Sequence, residues 1–193
     1  MGVEFELKFR ATPEALQTIA AGLSGDQQRF SMETTYYDNA AGQLSDRFWT
    51  LRRRFENGVS VCTLKTPAPN GSRGEFELQC DSIEQAIPEL CKLSGLPELR
   101  TLTAEGVLPV CGAKFERLAT SVVLQDCTVE VALDQGILFG GQKQIPLCEV
   151  EVELKSGSRD SAVAYAQTLA FMYGLEKERG SKFRRALALA KGE

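Results

Sequence analysis

Charged residues fall at every second position in four stretches of the chain, Glu4, Glu6 and Lys8; Arg52 and Arg54; Arg73, Glu75 and Glu77; and Glu149, Glu151 and Glu153, and a fifth stretch ends in Lys65 on a common side with Val61 and Thr63. A β-strand turns successive side chains to opposite faces, so each stretch, if extended, carries its charges in single file on one face. Surface strands usually vary their polar face with Thr, Ser, Gln and Asn, whereas these faces are almost wholly ionic. Rows of carboxylates suit a hard divalent cation, and rows of guanidinium and ammonium groups suit a polyanion. Buried ion pairs seldom add net stability against their desolvation cost, so ion-pair rows on this scale point to use rather than scaffold. With no histidine in the chain, the commonest general base is absent, and any chemistry must run on Lys, Arg, Tyr and carboxylates.

The elements that must position these rows can be read in order. Val3 to Phe9 is a strand with Val3, Phe5, Leu7 and Phe9 on its apolar face. Thr12-Pro13-Glu14 opens a helix with an N-cap, a proline at the first position and an acid in the first turn, and Leu16, Ile19, Ala20 and Leu23 form its stripe. Ser31 to Asp38 is β-rich. In Trp49 to Phe55 the alternation puts Thr50, Arg52 and Arg54 on one side, and Trp49, Leu51, Arg53 and Phe55 on the other. Asn57-Gly58 is the favoured pair for a tight hairpin into Val59 to Lys65. Pro67 to Gly71 breaks the pattern before the strand Arg73 to Gln79. Ser82 and Gln85 cap a helix whose stripe runs to Leu93, with Pro88 placed to kink or shorten it. Ala113 to Leu124 and Cys127 to Asp134 are strands bearing Arg117 and Asp134, Cys148 to Lys155 repeats the opening alternation, and two helices follow. Closing such an antiparallel set turns one face of every strand inward, and eight strands leave room for a small ligand. The expected fold is α+β, a closed eight-stranded antiparallel β-barrel (a tunnel) with flanking helices, formed by residues 1–193 as one domain.

Composition is that of a globular protein. A net charge of −4 argues against a broad nucleic-acid-binding surface. The six cysteines show no C-x-x-C pair and read as reduced filler. Nothing at the N-terminus resembles a signal peptide, and no run is long enough to span a membrane, so a cytoplasmic protein is expected.

In Glu4-x-Glu6-x-Lys8, and in the order of Tyr37-Asp38, Leu51-Arg52-x-Arg54, Thr63-Leu64-Lys65, Arg73-x-Glu75-x-Glu77, Arg117, Asp134, Glu149 to Glu153 and Ser181-Lys182-Phe183, the chain resembles the CYTH superfamily, the triphosphate tunnel metalloenzymes. The match runs over nearly the whole chain. The resemblance implies a tunnel in which Glu4, Glu6, Asp134, Glu151 and Glu153 hold Mg²⁺ or Mn²⁺. Lys8, Arg52, Arg54, Lys65, Arg73, Arg117 and Lys182 would hold phosphate oxygens. It also implies a catalytic part for Glu151, orienting water or a second metal, and for Lys8 as a proton-handling partner of Tyr37. The activity expected is metal-dependent hydrolysis of inorganic triphosphate to diphosphate and phosphate. Class IV adenylyl cyclase, thiamine triphosphatase and a non-catalytic polyphosphate- or nucleotide-binding module are the alternatives. The partner expected is a small-molecule triphosphate, with no membrane; an RNA 5′-triphosphate end and a homodimer stay open. Whether Glu75, Glu77 and Glu149 touch metal or orient basic residues also stays open at this level, as does whether Tyr36 and Tyr37 belong to core or site. Trp49 and Arg53 read as packing residues.

Overall fold

A computed structural model describes residues 2–68 and 73–193, with side chains from Phe5 onward. The side chain of Glu4 therefore lies outside the described residues, as does most of the break between Pro67 and Arg73. Along the chain run β1 (Gly2–Glu4), β2 (Glu6–Arg10), α1 (Pro13–Gly22), β3 (Gln27–Asp38), α2 (Gln43–Asp46), β4 (Thr50–Glu56), β5 (Val59–Pro67) and β6 (Arg73–Gln79). Then come α3 (Ile83–Ser94), α4 (Glu98–Leu102), β7 (Leu108–Val123), β8 (Cys127–Gly140), β9 (Lys143–Gly157), α5 (Arg159–Tyr173), β10 (Glu176–Lys177) and α6 (Lys182–Lys191).

The strands form one antiparallel sheet in the order β1-β6-β5-β4-β3-β7-β8-β9-β2-β10. This corrects the expected closed eight-stranded barrel: among the described residues the sheet has ten strands and two ends, and it does not close. The opening alternation is the reason. It is interrupted at Phe5, so Gly2–Glu4 pairs with β6 while Glu6–Arg10 pairs with β9, and the far edge of β2 is taken by β10. The sheet nevertheless curls, and residues from eight of its strands line one cavity of 390 Å³.

Three apolar clusters hold this shape. Leu16 and Ile19 of α1 and Ala162, Ala166 and Leu169 of α5 cover Phe9, Val129, Val131, Val150 and Val152 on one flank. Ile83, Ala86 and Leu90 of α3, with Leu44 and Leu99, cover Tyr37, Leu51, Cys62 and Leu64 on the other. Phe183 and Ala186 of α6 pack with Met32, Tyr36, Ala113, Phe115 and Leu138. The hairpin between β8 and β9 meets α6 so closely that a Cβ at Gly140 would sit 2.2 Å from the Ala186 carbonyl oxygen, so only glycine fits.

Local signals account for most helix ends. Thr12 accepts from Ala15 N–H at 3.2 Å, and Ser82 from Gln85 N–H at 3.3 Å. Pro88 leaves α3 unbroken, and it lies on the exposed face of the helix. No helix among the described residues is long and apolar enough to cross a membrane.

Candidate active site

Strand register decides which charges meet. Across β4, β5 and β6, Arg52 stands opposite Thr63, and Lys65 stands between Thr50 and Glu75, so Arg52, Arg54, Lys65, Arg73, Glu75 and Glu77 share the cavity face. Arg53 takes the other face, where it donates to the Asp81 carbonyl at 2.9 Å and lies over the Phe55 ring. Glu75 accepts from Arg52 at 3.4 Å and Lys65 at 3.1 Å. It thus touches two basic residues of this wall. Two buried donors of this wall, Arg52 Nε and Thr50 Oγ1, have no hydrogen-bond partner among the described residues. Buried polar atoms are normally satisfied, so such a pair facing a cavity is suited to an anion. Burial first, and the neighbouring Arg52 second, push the Arg54 guanidinium below its usual range.

The opposite wall is built from β2, β7, β8 and β9. Three rows of side chains cross it: Glu6 beside Glu153 beside Glu130; then Lys8 beside Glu151; then Glu149 beside Asp134 beside Arg117. Lys8 contacts Glu6 at 2.7 Å and Glu151 at 3.6 Å. Arg117 grips both oxygens of Asp134 at 2.7 Å and reaches Glu151 Oε2 at 2.5 Å. Lys182, brought in by the first turn of α6, lies 2.8 Å from Asp134, 2.8 Å from Glu151 and 3.2 Å from Glu149. Ser181 caps that helix by accepting from Arg184 N–H.

Burial alone would raise the Glu151 carboxyl, but Lys182, Arg117 and Lys8 outweigh it and hold it well below the usual carboxylate range. Burial likewise works to lower Lys8, Arg117 and Lys182, and the carboxylates around each outweigh it, so all three are raised and remain cationic.

These placements separate the expected site residues. Lys8, Arg52, Arg54, Lys65, Arg73, Arg117 and Lys182 come together around the cavity, with Glu6, Glu151 and Glu153. Asp134 does not line it: fully buried, it sits behind the wall as a counter-ion to Arg117 and Lys182. Glu149 is also fully buried and serves Lys182 and Arg185, the latter at 2.6 Å. The two tyrosines part company, and Tyr37 lies away from Lys8. Paired with Leu51, it faces the α3 cluster, and Tyr36, paired with Arg52, takes the cavity face and contacts Phe183 with ring centroids 5.0 Å apart.

Three contributors were missed. Glu130 lines the cavity in the same row as Glu6 and Glu153, and its alternation with Ala132 and Asp134 could have found it. Glu178, which accepts from Arg10 at 2.5 Å and Arg185 at 3.3 Å, lies outside any strand pattern, and Arg185 lies on a helix.

The family model for the CYTH domain matches residues 2–187. An inorganic triphosphatase of Haemophilus influenzae is 30% identical over 192 residues, covering 96% of this chain and 54% of that protein. The chain thus spans about half the length of that curated relative. Among solved structures, a Hippeastrum protein, HpAC1, whose description reports a dominant triphosphatase activity, is similar at 21% identity, with a TM-score of 0.65 over 98% of this chain and 96% of that one. A Pyrococcus horikoshii protein, PH1819, is similar at 20% identity, with a TM-score of 0.63 over 95% of this chain and 98% of that one.

Proposed function

Because the chain belongs to the CYTH domain family, we propose that it is a hydrolase that cleaves inorganic triphosphate to diphosphate and phosphate in the charged cavity. The observation that carries this reading is the pairing of an arginine- and lysine-lined wall, with unpartnered donors at Arg52 Nε and Thr50 Oγ1, against a wall bearing Lys8, Arg117 and Lys182. Phosphoryl transfer asks mainly for positioning and charge neutralisation, which the basic side chains contributed by the two walls supply without a dedicated base.

In this mechanism Arg52 and Arg54 clamp the phosphate oxygens through their guanidinium forks, while Lys65 and Arg73 add charge at the same wall. Lys8, raised by Glu151 and Glu6 against its own desolvation, stays protonated at neutral pH, so it acts as a fixed positive charge rather than a base. Both oxygens of Glu151 are engaged, Oε1 by Lys182 and Oε2 by Arg117. Its part is to hold these two cations at the cavity edge.

We place a divalent cation, Mg²⁺ or Mn²⁺, with Glu6 and Glu153, and add Glu4 on the family resemblance alone. Hard carboxylate oxygens suit either ion, and Glu6 and Glu153 are neighbours across β2 and β9. Among the described residues no group of three or more His, Cys, Asp or Glu side chains is arranged to hold a metal, so these ligands stand on donor chemistry and family. When bound, such an ion would offset charge on the phosphate oxygens. The test is phosphate release from inorganic triphosphate with Mg²⁺ or Mn²⁺ present. Steady turnover is expected, and its absence with both metals refutes the reading.

A further inference from the structure

Among the described residues, every basic side chain lining the cavity is carried by a strand except Lys182, which α6 brings in from outside the sheet. A strand is fixed by its ladder of hydrogen bonds, whereas the start of this helix must be fixed by other means. The turn before α6 supplies them. Glu178 donates its backbone N–H to the Lys8 carbonyl at 2.9 Å, and its side chain accepts from Gly180 N–H at 2.7 Å, so the turn is tied to β2 and folded onto itself. The second carboxylate oxygen of Glu178 accepts from Arg10 at 2.5 Å and from Arg185 at 3.3 Å. Burial works to raise this carboxyl, but Arg10, Gly180 N–H and Arg185 outweigh it and hold it below its usual range, so it stays ionised.

Arg185 lies one turn beyond Lys182 on α6 and reaches Glu149 Oε2 at 2.6 Å, the same oxygen that Lys182 approaches at 3.2 Å. An ionic chain thus runs from Arg10 through Glu178, Arg185 and Glu149 to Lys182. Only its last member lines the cavity. Buried ionic chains seldom add net stability, and two atoms of this one, Glu149 Oε1 and Arg185 Nε, have no hydrogen-bond partner among the described residues. Stability is therefore a poor reason for it.

The distribution of charge around Lys182 suggests a better one. Its ammonium sits among Asp134, Glu149 and Glu151. Asp134 and Glu151 each have Arg117 as a further cation, and Glu151 has Lys8 as well. Glu149 is fully buried, and among the described residues its only ion-pair partner besides Lys182 is Arg185. A buried carboxylate left with one cation holds that cation tightly. We propose that Arg185 is a positioning residue of the reaction: held by Glu178, it neutralises Glu149 and so leaves the Lys182 ammonium available to a phosphate oxygen of the substrate. Arg185 itself does not meet substrate. The inference rests on the triphosphate reading of the cavity, and it adds the residues that set the strength of one of its phosphate contacts.

The experiment measures kcat and KM for inorganic triphosphate, with Mg²⁺ or Mn²⁺, in the wild type, Arg185→Met, Arg185→Lys, Glu149→Gln and the double variant Arg185→Met, Glu149→Gln. Urea midpoints are taken alongside, so that rates refer to folded protein. Arg185→Met is expected to lower kcat/KM about five- to fiftyfold, mainly through KM. A merely structural Arg185 would move the urea midpoint and leave KM of the folded protein unchanged. Arg185→Lys keeps the charge and should recover most of the loss. With Glu149→Gln no carboxylate remains at that position to capture Lys182, so the double variant should stay within about threefold of Glu149→Gln alone. That comparison also decides the matter if Arg185→Met alone does not fold, because in the double variant Glu178 keeps Arg10 and no charge is left at Glu149.

A loss from Arg185→Met as large in the Glu149→Gln background as in the wild type overturns the positioning role and leaves the hydrolase reading standing. An unchanged KM in folded Arg185→Met, or no recovery in Arg185→Lys, does the same. If the wild type binds triphosphate in calorimetry without turning it over, the hydrolase reading fails, and the same comparisons made on Kd decide the positioning role. A wild type that neither binds nor cleaves triphosphate refutes both.

Discussion

Arg117 and Asp134 face each other across β7 and β8 with two parallel hydrogen bonds of 2.7 Å, and the aspartate has no exposed surface. The same arginine leans forward to Glu151, which lines the cavity. A cation of the site is thus anchored from behind by a carboxylate that need not meet substrate.

That anchoring predicts a stability effect separable from activity. Arg117→Ala removes one of the two cations paired with the buried Asp134 and leaves it Lys182, so the loss should approach but not exceed the about 3–5 kcal/mol of a fully broken buried pair. The doubly changed Arg117→Met, Asp134→Leu protein removes both charges, although Lys182 loses a partner, and should recover part of that loss. Urea unfolding of the two variants measures it, and equal destabilisation by both would contradict the account.

Strand parity gives an internal comparison within one tripeptide. Arg52→Ala and Arg54→Ala should each lower kcat/KM for inorganic triphosphate about ten- to more than hundredfold, the worth of one charge-assisted bond. Arg53→Ala should leave kcat/KM nearly unchanged, since its contacts are with the Asp81 carbonyl and Phe55. Arg53→Ala proving the most damaging to kinetics would overturn the register of β4.

The adjacent tyrosines should behave oppositely. Tyr37→Phe is expected to keep turnover, because Tyr37 faces the α3 cluster, whereas Tyr37→Ala should cost about 3–5 kcal/mol in stability, as large aromatic truncations do. Tyr36→Ala should disturb kinetics as well, through the lost contact with Phe183 beside Lys182. Kinetics and thermal melts on the three variants separate these roles.

Stability should fall at both ends of the pH scale for different reasons. Glu151 is held below its unfolded value of about 4.3, so its contribution is present above that pH and is lost as pH falls through the folded value. At the other end, burial raises Cys62 to about 11 and Cys111 to about 12, so each loses its contribution as pH rises from the unfolded thiol value of about 8.5. Lys8 and Lys182, also raised, follow only above about 10.4. Urea midpoints should therefore be flat from about pH 5 to 8. Glu151→Gln should flatten the acid limb, and Cys62→Ala with Cys111→Ala should delay the alkaline one. An unchanged acid limb in Glu151→Gln would assign that limb to other carboxylates.

The metal ligands are open to a direct check. Glu4→Gln with Glu6→Gln keeps side-chain volume and removes anionic oxygens, so activity should be abolished with the fold intact. Circular dichroism reports the second point. Wild-type turnover at limiting Mg²⁺ would remove this strand from the metal site.

Much of the cavity was legible because ionic alternation is a strong signal when it repeats. The inward set Arg52, Arg54, Lys65 and Glu75 and the outward Arg53 follow from a period of two and one hairpin. The signal is weaker where polarity does not alternate. Tyr36 and Tyr37 are both buried aromatics, so nothing in the residue types says which faces the cavity. Asp134 and Glu149 keep the parity of the site yet lie behind it, since parity fixes a face and not a depth. Closure into a barrel was misjudged because a strand pattern interrupted for a single residue at Phe5 reads as continuous, although its two halves pair with opposite sides of the sheet. Glu178 and Arg185 act through a loop and a helix, where no strand rhythm marks them.

That split of the opening strand has a kinetic consequence during protein synthesis. Glu6–Arg10 is made early, yet its partner Glu149–Glu153 is translated only near the other end of this unit, and β1 must meanwhile find β6. Pairings this distant in sequence pay their loop-closure entropy before any contact rewards it, which makes folding slow. On the ribosome, β2 is therefore left holding an exposed apolar row of leucine and phenylalanine until β9 is made. Its alternating glutamate and lysine are the charges that keep this waiting edge from pairing with a neighbouring nascent chain.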